Sequence, residues 1–208
     1  MSEMLPPGVV VVTGASSGIG GELVAQLLDS GREVVGLARR ADTAGEGDPP
    51  GVPHTRISAD LSSADGIARA LEHIHRVLDG RPVAALVNSA GAVTPVGALA
   101  RQSSETILAA LCLMAVAPAR LAAGVAELMP EGARVLNLST RSAEETFPGL
   151  GLYCMSKHAL RSVTRSLQME LAPGIAVTEL IPGEVDPRRS GGTLLSLGAH
   201  RDLAPAVH

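Results

Sequence analysis

Val9-Val10-Val11-Val12 is an unbroken run of β-branched residues that stops at Thr13-Gly14. A half-buried strand alternates apolar with polar residues. A continuous apolar run instead suits a strand covered on both faces, as in a parallel sheet. Parallel strands need crossover connections, and the chain supplies them. Helical stretches at 19–28, 63–78, 104–129 and 152–171 alternate with strand-like stretches at 33–38, 56–58, 83–87, 134–138 and 175–181. Ser62 or Ser63 suits the N-cap of the second helix, and Pro118 should bend the third. Residues 43–53, rich in Gly, Pro and Asp, read as a surface loop. The reading is an α/β protein: one doubly wound domain with about six parallel strands and helices on both faces. From Arg188 the pattern weakens, so the domain is set at 1–187 and residues 188–208 as a short C-terminal tail or shortened loop.

Composition narrows the function. A chain of 208 residues can bury one good core. Phe147 is its only Phe and Trp is absent, so the core must be aliphatic and no aromatic platform exists for stacked bases. Net charge is −4 with no basic run, which argues against a nucleic-acid partner. Cys112 and Cys154 lack metal-ligand spacing, and His73 and His75 point to different faces of one helix, so no metal site is expected. The most apolar stretch, 107–119, is about 13 residues long before Arg120, too short to cross a bilayer. Residues 1–8 lack a basic segment followed by a long apolar one. No membrane association is expected, and the expected compartment is cytoplasmic.

Two motifs carry chemistry. Thr13-Gly14-Ala15-Ser16-Ser17-Gly18-Ile19-Gly20 lies between the first strand and the first helix. Its glycines permit a tight turn and close approach of a pyrophosphate to backbone N–H groups, and the helix dipole favours the anion. A glycine turn after a strand also occurs without a ligand, so the strand–loop–helix context carries the weight. The second motif is Tyr153-Cys154-Met155-Ser156-Lys157. It holds the only Tyr and the only Lys of the chain, every other Lys-or-Arg position being Arg. Four residues apart on a helix, the two side chains share a face. An ammonium beside the phenol should lower its pKa and let it exchange a proton near neutral pH, although such a pair also suits an ordinary surface helix.

Thr-Gly-x-x-x-Gly-x-Gly with Tyr-x-x-x-Lys resembles the short-chain dehydrogenase/reductase family, which binds nicotinamide dinucleotides. Asn88-Ser89-Ala90-Gly91 looks like the family's Asn-Asn-Ala-Gly, and Pro182-Gly183-Glu184-Val185 looks like its Pro-Gly motif. Asp60-Leu61 falls where the family holds adenine. The resemblance covers about residues 8–187 and implies a Rossmann-type fold. It implies cofactor contacts from Gly14, Ser16, Ser17, Gly18, Ile19, Gly20, Asp60, Leu61, Asn88, Ala90, Gly91, Tyr153, Lys157, Pro182, Gly183 and Val185. The family's catalytic serine lies thirteen residues before its tyrosine, and here that position is Thr140. Ser139 and Ser142 are neighbouring hydroxyls that could substitute, but the spacing favours Thr140.

The implied reaction moves a hydride between the nicotinamide and a carbonyl or carbinol carbon of a small-molecule substrate. Tyr153 handles the proton, Lys157 holds the ribose and tunes the tyrosine, and Thr140 stabilises the oxyanion. At the end of the second strand, Leu37-Ala38-Arg39-Arg40 offers two arginines and no acid. Guanidinium groups suit a 2′-phosphate, so the expected cofactor is NADP(H); the alternative is two solvated arginines.

The chain also departs from the family. Met114 stands where an Asn usually helps hold a water near the lysine, and only its backbone carbonyl retains that capacity. Pro187 stands where a Thr often follows the Pro-Gly motif. Members usually run longer, with a substrate loop, further helices and a seventh strand, so a final strand is expected to be missing. These departures keep two alternatives open. One is a non-catalytic NADP-binding sensor or scaffold. The other is a lyase or isomerase reaction on the same fold, because fold does not fix chemistry. The resemblance further implies a homodimer through the long helix and the Tyr-bearing helix.

Overall fold

The computed structural model describes residues 5–40, 51–93 and 95–182. In chain order its main elements are β1 (Val9–Thr13), α1 (Gly18–Asp29), β2 (Val34–Ala38), β3 (His54–Ser58), α2 (Ala64–Leu78), β4 (Val83–Asn88), α3 (Ser104–Leu111), α4 (Ala117–Val125), β5 (Arg134–Leu138), α5 (Gly151–Glu170) and β6 (Ala176–Leu180). The strands form one parallel sheet in the order β3-β2-β1-β4-β5-β6. This is the doubly wound α/β architecture that the sequence pattern predicts. The ends of the elements shift by one or two residues from that reading, as helix and strand ends commonly do. The loop residues 43–50 and everything beyond Pro182 lie outside the described residues, and with them the proposed boundary at 187/188.

The valine run explains the layering. Successive side chains of a strand point to opposite faces. Val9 and Val11 accordingly enter a core with Ile67, Ile74, Leu78, Leu121 and Leu167 from α2, α4 and α5. Val10 and Val12 enter a second, smaller core with Val24 and Leu28 of α1. All four valines are fully buried, so each face of β1 contributes hydrophobic stabilisation. Ser63 caps α2 by accepting a hydrogen bond from the Gly66 N–H at 3.1 Å, which is one of the two caps foreseen.

The long helix is where the sequence reading needs correcting. A single helix bent at Pro118 was expected. The helical run does extend from Ser104 to Leu128, but Cys112–Val116 is a π-turn, with the Ala117 N–H reaching the Cys112 carbonyl. Pro118 has no N–H to offer the Met114 carbonyl four residues back. The ladder adapts by widening one turn before the proline, and α4 restarts with Pro118 in its first turn. By length and apolar composition this run could cross a membrane, which the shorter apolar stretch read from the sequence did not allow. Its inner face belongs to the protein core, however, through Ala117, Leu121, Ala122 and Val125.

Candidate active site

The strand order reverses at β1, so the connections leaving β1 and β4 diverge to opposite faces and open a crevice at the carboxyl edge of the sheet. Thr13 sets its floor. Its hydroxyl oxygen accepts hydrogen bonds from the Ser89 and Ala90 N–H groups, both at 3.1 Å, which pins the end of β4 against the first turn. Gly14 has φ of +72°, and a Cβ there would lie 3.0 Å from the Ala90 backbone. A Cβ on Gly20 would lie 2.4 Å from the Gly14 carbonyl oxygen. The turn is therefore tight enough to need both glycines. Ser17 precedes α1 in extended conformation and makes no side-chain cap hydrogen bond. The first N–H groups of α1 are thus left to an outside acceptor.

The crevice is lined by Gly14, Ser16, Ser17, Arg39, Arg40, Asp60, Leu61, Ala90 and Gly91, nine of the positions named from the sequence, together with Leu37, Ala38, Ala59, Ser62, Ala92 and Leu113. Asp60 accepts from the Ser62 N–H at 3.0 Å and the Ser62 hydroxyl at 2.7 Å. Those bonds, with Arg39 and Arg69 nearby, hold its carboxyl below the usual range. Gly18 and Ile19 border a different hollow, mostly apolar, with Leu23, Val87, Leu136, Leu138 and Leu180 and with Glu22, Gln26 and Ser89. The Asn88 side chain is not in the crevice: it is buried and donates to Asn137 Oδ1 at 2.8 Å. Pro182 follows the end of β6, and Gly183 and Val185 lie outside the described residues. The lining and the α1 terminus fit an elongated ligand with a phosphate near Ser17 and a further anionic group near Arg39.

Tyr153, Lys157 and Thr140 come together beside this crevice. The Thr140 hydroxyl is close enough to the Tyr153 phenol to pull its pKa down, and its oxygen accepts from the Ser142 N–H at 3.4 Å. Ser139 and Ser142 are both buried. Lys157 is buried as well; its ammonium donates to the Leu138 carbonyl at 2.7 Å and lies 5.8 Å from the centre of the Tyr153 ring. Burial brings the Lys157 pKa down to about 8, opposed by the attraction of Glu179.

The expected lowering of the phenol pKa is not what this arrangement produces. Burial pushes the Tyr153 phenol up, and the nearby Thr140 hydroxyl only partly offsets it. The ammonium engages the Leu138 carbonyl, while desolvation of a phenolate acts in full. Met114 is buried. A Cβ built on Gly91 would be 3.8 Å from both the Met114 sulfur and the Lys157 nitrogen, so both side chains border Gly91.

The family model for short chain dehydrogenases matches residues 8–193. The chain belongs to this family. Among curated relatives of this chain, protein FixR of Bradyrhizobium diazoefficiens is 32% identical over 187 residues, covering 86% of this chain and 67% of FixR. The NADPH-dependent 3-dehydrocapnine reductase of Ornithobacterium rhinotracheale is 31% identical over 185 residues, covering 84% of this chain and 64% of the reductase. The chain thus spans about two thirds of the length of both. Among solved structures, a metagenomic blue fluorescent protein in complex with NADPH superimposes with a TM-score of 0.78 at 29% identity, covering 88% of this chain and 76% of that one.

Sequence reasoning on this family member missed Asn137, Thr164 and Glu179. Asn137 donates to the Thr164 hydroxyl at 2.9 Å, which in turn donates to the Leu160 carbonyl at 2.8 Å. This chain ties β4 and β5 to α5 beneath the site. The signal was present: Asn137 and Glu179 each lie two residues after a core valine, so each puts a polar group on a core-facing side of a strand.

Lys157 gives a test that needs no ligand. Its folded pKa is about 8, against the usual 10.5. Between those values the unfolded chain holds a proton that the folded chain has lost, so this group's contribution to stability rises with pH across the window. At neutral pH the buried ammonium costs the fold. Lys157→Met should be more stable than wild type at pH 7 by up to roughly 3 kcal/mol, with most of the difference gone by pH 10. Urea denaturation at both pH values checks this; a wild type more stable than the variant at pH 7 contradicts it.

Proposed function

We propose that this chain is an NADPH-dependent oxidoreductase that reduces a small or medium carbonyl compound and oxidises the alcohol in reverse. The observation that carries the reading is the buried Lys157, its ammonium on the Leu138 carbonyl and 5.8 Å from the centre of the Tyr153 ring, beside Gly91 of the crevice lining. The relatives add support, since one is an NADPH-dependent reductase and one solved neighbour holds NADPH.

A bound nicotinamide would supply the hydride. Gly14, Ser16, Ser17 and the α1 N-terminus would hold the pyrophosphate, Asp60 and Leu61 the adenine end, and Ala90 and Gly91 the middle. Arg39, with Arg40 assisting, would read the 2′-phosphate. The remaining work is proton chemistry. A phenol held protonated by burial is set to donate to a carbonyl oxygen as charge develops there, which favours the reducing direction. The Thr140 hydroxyl donates a second hydrogen bond to the same oxygen. The Lys157 ammonium stabilises the phenolate left behind.

Met114 favours a second reading, a cofactor-binding sensor or scaffold, because a thioether stands at the position where the family usually has an amide. The first reading is preferred because the chain keeps the Tyr153 phenol, the Thr140 hydroxyl and the Lys157 ammonium that such proton transfer would use.

The assembly we propose is a homodimer through the helices over 104–129 and 152–171. Leu108, Val116 and Met169 are exposed there, Met169 by 76%, and α3 has no buried residue.

Three outcomes follow. Arg39→Ala should weaken NADPH binding by roughly 10–100-fold, the loss of a charge-assisted contact, while NADH changes little; equal losses in calorimetric titrations would remove the arginine from phosphate recognition. Tyr153→Phe should keep NADPH affinity and lower kcat by about 10²–10⁴-fold. A variant as active as wild type would sink the mechanism, and a wild type that binds NADPH but reduces nothing in a broad carbonyl panel would favour the sensor. Light scattering at micromolar concentration should give a dimer; a monomer would refute the helix interface.

A further inference from the structure

Among the described residues β3 is the edge strand, and its register sets Val34 opposite His54, Gly36 opposite Arg56 and Ala38 opposite Ser58. Ile57 enters the larger core. His54, Arg56 and Ser58 lie an odd number of residues from it, so they point to the other face of the sheet. That is the face where Val34 packs with Val24 and Leu28 of α1. Two basic side chains on an edge strand therefore stand on the side of the glycine turn.

Gly36 makes the room they occupy. A Cβ there would lie 2.9 Å from the Ala15 Cβ and 3.0 Å from His54 Nε2. The imidazole and the Ala15 methyl thus both close on the bare backbone of β2. Over Gly36 and Ala38, a small hollow is lined by Ser16, Arg40, His54 and Arg56. Ser16, Ala38 and Arg40 line the crevice as well, so hollow and crevice adjoin across a shared wall. Arg39 lines the crevice and not the hollow, and it lies near the Asp60 carboxylate. The Ser58 hydroxyl, on the same edge, donates to the Arg39 carbonyl at 3.2 Å, which ties β3 to the segment that carries both arginines.

A phosphate monoester carries about two negative charges near neutral pH. One guanidinium does not neutralise it, and a guanidinium that also faces a carboxylate does less. Arg40 after β2 and Arg56 in β3 meet at Ser16 from two directions, and each offers a planar set of donors suited to phosphate oxygens. We propose that Arg56 is a specificity-determining residue for the cofactor, seating the 2′-phosphate with Ser16 and Arg40 while Arg39 meets it from the crevice. The inference rests on the NADPH reading for the identity of the anion. The convergence of Ser16, Arg40 and Arg56 does not depend on that reading.

Adenosine 2′,5′-bisphosphate and adenosine 5′-monophosphate differ only in the 2′-phosphate, so calorimetric titration of the pair isolates it. Wild type should prefer the bisphosphate. Arg56→Gln should weaken the bisphosphate and NADPH by about tenfold, the loss of one charge-assisted contact, while the monophosphate and NADH change by less than about twofold. Should the Gln variant fold poorly, Arg56→Met, which keeps the apolar stem, should show the same selective loss. Equal losses with and without the 2′-phosphate would mark a merely structural role and overturn the proposal, as would no loss at all. Weaker binding of inorganic phosphate with unchanged binding of the bisphosphate would mark a free-anion site and also overturn it.

Failure of this inference and failure of the reductase reading look different. If Arg56→Gln loses the bisphosphate selectively but wild type reduces no carbonyl with NADPH, the Arg56 inference stands and the reductase reading falls. If wild type reduces carbonyls with NADPH and the Gln variant keeps the wild-type ratio of NADPH to NADH affinity, the reverse holds.

Discussion

β1 lies between β2 and β4, and the chain leaves it toward α1 on one face and leaves β4 toward the helices on the other. Neither connection can cover the carboxyl ends of both strands, so a crevice opens there by topology alone. Its position depends on how closely the two strand ends are tied, and Thr13 ties them with one hydroxyl that accepts from two successive backbone N–H groups of the β4 loop. Gly14 and Gly20 then permit backbone contacts that any Cβ would block. The tight turn before the α1 terminus follows from strand order, one hydroxyl and two glycines.

Desolvation is the second constraint. The floor of α5 is polar, with Asn137, Thr164 and Glu179 beneath Lys157 and Arg161, yet Lys157 is buried deeply enough to lose much of its affinity for a proton. Tyr153 is pushed the other way by the same burial. Removing both groups from water therefore brings the acid strengths of a phenol and an ammonium into an unusual order. In free water the ammonium and the phenol are nearly matched; here the ammonium releases its proton more readily than the phenol. A developing negative charge on a substrate oxygen would meet a protonated phenol first.

Much of the fold could be read from local pattern. The valine run named the parallel sheet because both faces of β1 are covered, and Ser63 named its helix by a cap that needs no tertiary information. The crevice residues around Gly14, Asp60 and Gly91 were legible because their motifs sit at strand ends. Three features were not. The π-turn at Cys112–Val116 depends on how Pro118 is accommodated, and a missing N–H can be met by a kink or a widened turn. The direction of the Tyr153 shift depends on burial against the distance of Lys157, which spacing along a helix does not give. Glu179 needed the register of β6 against β5 to place it under α5.

The central claim is that a nicotinamide cofactor lying in this crevice reaches the lone tyrosine. Protein labelled with 13C-tyrosine gives one set of ring signals, which can be followed while NADP⁺ is added. The account predicts a saturable shift of those signals and nuclear Overhauser contacts between the ring and the nicotinamide protons. Saturable NADP⁺ binding that leaves the tyrosine signals unmoved and shows no such contact would contradict it.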